Sequence, residues 1–322
     1  MAYEELFIDL LKAEREEDVT DALTVYGLEK FTDAHWIPYG GVENNFGLIG
    51  AQQADSLGAL VEKIVNSIDA VLLRECLARN LDPRSTVVPR TMNEAAEQFL
   101  NIPEGNLAKL SPAQRTELAE KNISIMVTGQ KPDEGNPCVT VIDAGEGQKP
   151  QLFKDTLVSL LRSNKSSVPF VQGKFNMGST GSLVFCSANK NYQLIASQRN
   201  GAIPDASNSK WGFTLIRKRP PMKNEKNERY EYLAPKGSIC ELNVEDIPIL
   251  PDKDKTPYQR RIKYGTIVKL YEYALPGSTK TMATADFYRA LSNINFGPLS
   301  SRSGSTRRGL TRDIRWKPPF PE

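Results

Sequence analysis

The sequence predicts an α+β protein, on three observations. Apolar residues recur at helical spacing through much of residues 3 to 120. Two runs at 123 to 129 and 138 to 143 read as the arms of a hairpin. From residue 183 onward, short β-rich runs alternate with turns, the pattern of an antiparallel sheet. At 322 residues the chain is long enough for one large or two modest domains. Lys and Arg number 41 against 39 Asp and Glu, a net charge of +2, so any basic partner surface must be local.

The first element is helical: Leu6, Leu10 and Leu11, then Val19, Leu23 and Leu28, recur among charges over residues 3 to 30. Its acids stand where a signal peptide would be basic, and no run is apolar and long enough to span a membrane. Cys76, Cys138, Cys186 and Cys240 form no C-x-x-C pair and His35 is the only histidine, which disfavours zinc and suggests a reducing compartment. Residues 36 to 56 turn Gly-rich and polar and read as an irregular strap. There Asn44 and Asn45 suit a turn, with contact to a ligand as the alternative.

The densest signal is Leu57 to Leu73, LGALVEKIVNSIDAVLL. Leu57, Val61, Ile64, Ile68 and Val71 share an apolar stripe, while Glu62, Asn66 and Asp69 cluster across from it. Glu62 and Asn66 are i and i+4 neighbours, so a carboxylate and an amide oxygen stand one above the other, suited to holding a metal and a water. An ordinary solvated helix face is the competing interpretation. Further helical pieces follow near 91 to 100 and 111 to 120, the second opened by Ser111-Pro112 as N-cap and first helical residue.

Asp143-Ala144-Gly145-Glu146-Gly147 follows the second hairpin strand at once. A carboxylate at a buried strand end wants a hydrogen-bond donor, although Asp and Gly are also common turn residues. Residues 163 to 182, SNKSSVPFVQGKFNMGSTGS, bring glycines that free the backbone to wrap phosphates. Lys165 and Lys174 are available to counter phosphate charge, and a helix starting near Ser179 would present its amides. Strands are then expected in LVFCSA, YQLIASQ, KWGFTLIRK, RYEYLA, GSICELNV and TIVKLYEYAL, the last preceded by Gly265. Arg302, Arg307, Arg308, Arg312, Arg315 and Lys317 with Trp316 make a basic tail that suits a nucleic-acid backbone or a solvated linker.

In this order, the Glu-x-x-x-Asn-Ser-x-Asp-Ala helix at 62 to 70, the Asp-x-Gly-x-Gly loop at 143 to 147 and the glycine-rich stretch ending at Gly181 resemble the boxes of the GHKL (Bergerat-fold) ATPase superfamily. The chaperone, MutL and MORC branch is nearer than the histidine kinases, since little chain precedes His35 to carry a phosphoacceptor domain. One departure is Asn176, where chaperone relatives usually have glycine.

The resemblance implies an α/β sandwich with helices on one face of a mixed, mostly antiparallel sheet. It implies ATP and Mg²⁺ as ligands and slow hydrolysis as the activity. Asn66 would bind the metal, Glu62 would act as general base, and Asp143 would select adenine. Asp69, Gly145, Gly147, Lys165, Lys174, Gly178, Ser179, Thr180 and Gly181 would complete the nucleotide site, with the Thr266 hydroxyl supporting Asp143. Three parts are expected: a helix and strap at 1 to 56, the ATP-binding domain at 57 to 275, and a C-terminal helix with basic tail or linker at 276 to 322. The setting would be cytoplasmic, with a homodimer in the ATP-bound state and a protein client or nucleic acid as partner. A nucleotide-binding regulatory module without turnover and an ATP-gated nucleic-acid clamp are the alternatives.

Overall fold

Where one helical stretch was expected at the N-terminus, two helices form, and a single carboxylate divides them. The Asp18 side chain accepts hydrogen bonds from the amides of Glu14 and Arg15, each at 3.0 Å, so α1 (Tyr3–Lys12) ends and α2 (Glu16–Val25) begins. The computed structural model describes residues 3–30, 34–51, 55–129, 135–160, 167–172, 180–223, 225–249 and 261–275. The expected C-terminal helix and basic tail lie outside these residues.

The strap gives a short strand, β1 (Trp36–Pro38), and a brief helix, α3 (Phe46–Gly50). Asn45 is structural. Its amide donates to the carbonyls of Tyr39 and Tyr230 at 3.1 and 2.8 Å, and its oxygen accepts from Tyr230 N at 2.8 Å. The long helix α4 (Ser56–Ala78) starts on Asp55, whose carboxylate accepts from Gly58 N. Next come α5 (Met92–Leu100), capped by Thr91, and α6 (Pro112–Asn122), where Ser111 and Gln114 form the capping box.

The strands are β2 (Ile123–Gly129), β3 (Pro137–Asp143), β4 (Gln193–Gln198), β5 (Trp211–Arg219), β6 (Arg229–Leu233), β7 (Cys240–Leu242), β8 (Ile247–Pro248), β9 (Arg261–Ile262) and β10 (Gly265–Leu270). One sheet runs β1-β6-β5-β4-β10-β3-β2, with β7 on the other end of β5, while β8 and β9 pair separately. Every pairing among the described strands is antiparallel. The expected LVFCSA strand is instead a 3₁₀ turn, Leu183–Phe185. Its buried residues Leu183 and Cys186 are three apart, a spacing that a helical turn satisfies, and Cys186 N bonds back to Leu183 O at 3.1 Å.

The α+β class holds, but the helices cover both faces of the sheet. Cys138 and Ile142 of β3, Leu194 and Ala196 of β4 and Ile267 of β10 pack with Leu6, Phe7, Leu10, Val19 and Leu23 of α1 and α2. The alternate residues Val139, Val141 and Leu270 face the other way and pack with Leu60 and Ile64 of α4. Central strands covered on both faces read as continuous apolar runs, and β3 and β4 are buried along their whole length.

Candidate functional site

A cavity of about 490 Å³ lies between α4 and the α4-facing side of β3, β4 and β10. That volume is in the ordinary range for a small-molecule site. The sheet supplies Val141, Asp143, Ile195, Thr266 and Val268 to its wall, and the loop after β3 adds Glu146, Gly147 and Gln148. From α4 come Lys63, Asn66, Ser67, Ala70 and Leu73. Antiparallel register explains the convergence: Thr266 stands opposite Asp143 on one side and Ser197 on the other.

α4 is not a surface helix with a wetted polar face. No residue from Ser56 to Leu77 is exposed, because the sheet covers one side and α5 and the 167–172 segment cover another. The side facing the sheet carries Ala59, Lys63, Ser67 and Ala70, all buried, between the larger Leu60 and Ile64. Small side chains let helix and sheet approach. Gly145 lies so near that a Cβ there would sit 2.5 Å from Ala70 Cβ.

Asp143 is buried, and its two oxygens already hold specific donors. Ser67 Oγ donates to Oδ2 at 3.2 Å, and Gly145 N donates to Oδ1 at 3.0 Å. Those bonds fix the carboxylate at the cavity wall. The support expected of Thr266 goes elsewhere. Its hydroxyl lies 3.1 Å from Ser197 Oγ, which also donates to Gly265 O and accepts from Gln148 N. Ser67, on the helix, is the hydroxyl that donates to Asp143.

The loop 144–147 is locked from three sides. Arg74 Nη1 donates to Ala144 O at 2.6 Å, and its Nη2 donates to Asn122 Oδ1 at 2.9 Å. Glu146 N donates to Ala70 O at 2.9 Å. Asn200 Nδ2 donates to Gly145 O at 3.2 Å, and Arg199 Nη1 pairs with Glu146 Oε2 at 3.0 Å. Gly147 has φ +59°, in the left-handed region, and any Cβ there would collide with Gln198 O. These contacts set the loop's shape from within the fold.

Of the residues expected at the site, Asn66, Asp143, Gly147 and Thr266 meet at the cavity wall. Glu62 does not form part of that wall; it is half-buried, four residues before Asn66 on the same helix. Asp69 is fully buried, and its carboxylate accepts from Gln172 N at 3.0 Å, so it anchors the segment leading into the glycine-rich stretch. Gly145 acts through its contact with Ala70. Thr180 and Gly181 are buried beside the 3₁₀ turn, off the cavity wall. Lys165, Lys174, Gly178 and Ser179 lie outside the described residues, and so does the expected start of a helix near Ser179.

Sequence reasoning passed over Lys63, Ser67, Arg74 and Arg199. Lys63 is 94% buried at the cavity wall, where burial pushes its amine down to about 8 while Cys186 and Glu62 pull the other way. Beyond Leu73 the wall continues through Leu77 to Asp82, Pro83 and Arg84 in the loop after α4. The four cysteines are free and buried. Among the described residues no group of three acidic, histidine or cysteine side chains could hold a metal, and no helix is long and apolar enough to cross a membrane. No protein-family model matches the chain, and no curated protein does either.

Proposed function

We propose that the cavity binds ATP with Mg²⁺ and that the chain hydrolyses it slowly, as the GHKL resemblance implies. The observation that carries this is the meeting of Asn66, Asp143, Gly147 and Thr266, from three separate parts of the sequence, on one cavity wall. Nothing in local sequence requires those stretches to converge.

Asp143 accepts the exocyclic amino group of adenine, held in place by Ser67 and Gly145 N. The apolar walls Val141, Ile195 and Val268 flank the base. Asn66 would offer its amide oxygen to the metal, a fit that needs no acidic cluster because a nucleotide-bound Mg²⁺ takes only one or two protein ligands. When bound, Mg²⁺ neutralises phosphate charge. Glu62 takes a proton from the water that attacks the γ-phosphorus, the bond to the β-phosphate oxygen breaks, and ADP and phosphate leave. The cycle would drive dimerisation or a conformational change in a cytoplasmic setting, which the free cysteines favour.

Calorimetric titration with ATP, with and without Mg²⁺, tests the reading directly. Asp143→Asn should weaken ATP binding by about 10-fold or more, the worth of a charge-assisted hydrogen bond. Wild-type affinity in that variant would refute the adenine role. The half-buried position of Glu62 off the cavity wall favours one second reading, a nucleotide-binding regulatory module without turnover. Glu62→Ala separates the two. Binding retained with hydrolysis reduced by about 10²- to 10⁴-fold supports the base role, whereas unchanged turnover rejects it.

A further inference from the structure

We propose that the chain carries a second ligand site, separate from the nucleotide cavity, that takes a short aliphatic carboxylate. It is a pocket of about 70 Å³ between α4, α5 and α6. From α4 it is lined by Ile68, Val71 and Leu72, whereas Lys63, Asn66, Ser67 and Ala70 line the larger cavity, so the two spaces lie on different sides of one helix. The proposal stands apart from the nucleotide reading.

The pocket exists because α6 is held off its neighbours. Its last residue, Asn122, leads straight into β2, so the sheet sets where the helix ends. There Asn122 O accepts from Ala144 N at 2.8 Å, and Asn122 Oδ1 accepts from Arg74 Nη2 at 2.9 Å. Those bonds hold α6 against settling further onto α4 and α5. No residue of α6 is fully buried, and the short side chains of Ala96 on α5 and Ala119 on α6 leave the gap between them unfilled. A fixed frame around small side chains keeps a void that its lining does not close.

The wall names the occupant. Among the described residues that line it, only Arg115 and Asn122 are polar. The Asn122 amide is occupied inside the fold, since its Nδ2 also donates to Leu118 O at 2.7 Å. So few polar partners hold water poorly, which favours an apolar group. Arg115 is half-buried, and among the described residues its side chain makes no hydrogen bond or ion pair. Its guanidinium is the wall's one charge, and a carboxylate matches that fork with two parallel bonds. Size sets the chain: a dry cavity of about 150 Å³ holds benzene, so this one suits roughly three or four carbons. Butanoate and pentanoate combine that length with that charge.

The test is an NMR titration of the full ¹⁵N-labelled chain with straight-chain carboxylates from acetate to octanoate. Amide shifts should cluster at Ala96, Leu118 and Ala119, with affinity rising about fourfold per methylene as far as pentanoate and levelling beyond it. No shift at about 10 mM pentanoate, or affinity that ignores chain length, would overturn the proposal. Pentanamide, which lacks the charge, should bind about 10-fold more weakly than pentanoate. Arg115→Gln should remove that difference by weakening pentanoate alone; unchanged pentanoate affinity in this variant overturns the role of the arginine and with it the ligand class. Ala119→Leu keeps a strong helix former while filling the space, and should abolish binding of both compounds. Binding retained there would put the ligand elsewhere and overturn the site.

Discussion

Two lysines are buried against opposite faces of the same sheet, and their surroundings differ. Lys269, on β10, points to the face covered by α1 and α2, where its ammonium donates to Leu11 O at 2.6 Å and to Ala13 O at 2.5 Å. Those are carbonyls at the C-terminal end of α1, where a cation is favoured by the helix dipole. Tyr271 does the same with Leu10 O, and Arg217 stacks 3.5 Å over the Trp36 ring while pairing with Glu231. Lys63, on the α4 face, borders a cavity instead. Burial lowers both amines. On the closed face backbone carbonyls receive the ammonium, while on the other face the lysine lines open space. The described polar groups of one face are built into the fold, and several on the other line a cavity.

The sharpest way to break this division is to damage the closed face and watch the open one. Leu10 is fully buried between α1 and the sheet, so Leu10→Ala should lower unfolding stability by about 2–5 kcal/mol. Chemical denaturation measures that loss. Nucleotide affinity of the folded protein should stay within about twofold, because distant sites without shared partners act independently. An affinity loss as large as that of Asp143→Asn would show that the closed face also shapes the cavity, and the division would fail.

The sequence made the elements legible where local chemistry decides them. Ser111-Pro112-x-Gln is a complete N-terminal signal, and α6 starts there. The hairpin of β2 and β3 and the strand end at Asp143 were equally visible, because alternation and turn residues sit close together in the chain. Three of the four residues that meet in the cavity lie in short recognisable patterns, and Thr266 joins them only through register with Asp143. What stayed hidden depends on tertiary burial. A helix enclosed on several sides has no single apolar stripe, so the periodicity of α4 set Asp69 in a polar sector opposite that stripe, although it is fully buried. Lys63 and Ser67 were passed over for the same reason: a polar residue amid apolar ones looks incidental until the facing strand is known. The exchange of Thr266 for Ser67 as the support of Asp143 is a difference of side-chain direction, on which sequence order is silent.

The smallest effect, and the one most specific to the contrast between the lysines, is in the pH dependence of stability. An unfolded chain holds a lysine proton up to its ordinary value of 10.5, whereas folded Lys63 releases it at about 8. Between those values the unfolded state binds more protons, so stability contributed by this group rises as pH rises, and the penalty for burying the charge is fully present below pH 8. Between pH 7 and 9 the gain should be about 1 kcal/mol, read as the difference between wild type and Lys63→Met so that other titrating groups cancel. Lys269 adds a rise of the same sign, and both proteins retain it. A wild-type curve parallel to that of Lys63→Met would show that the folded amine keeps its proton up to the ordinary lysine range, and burial would then not set its titration.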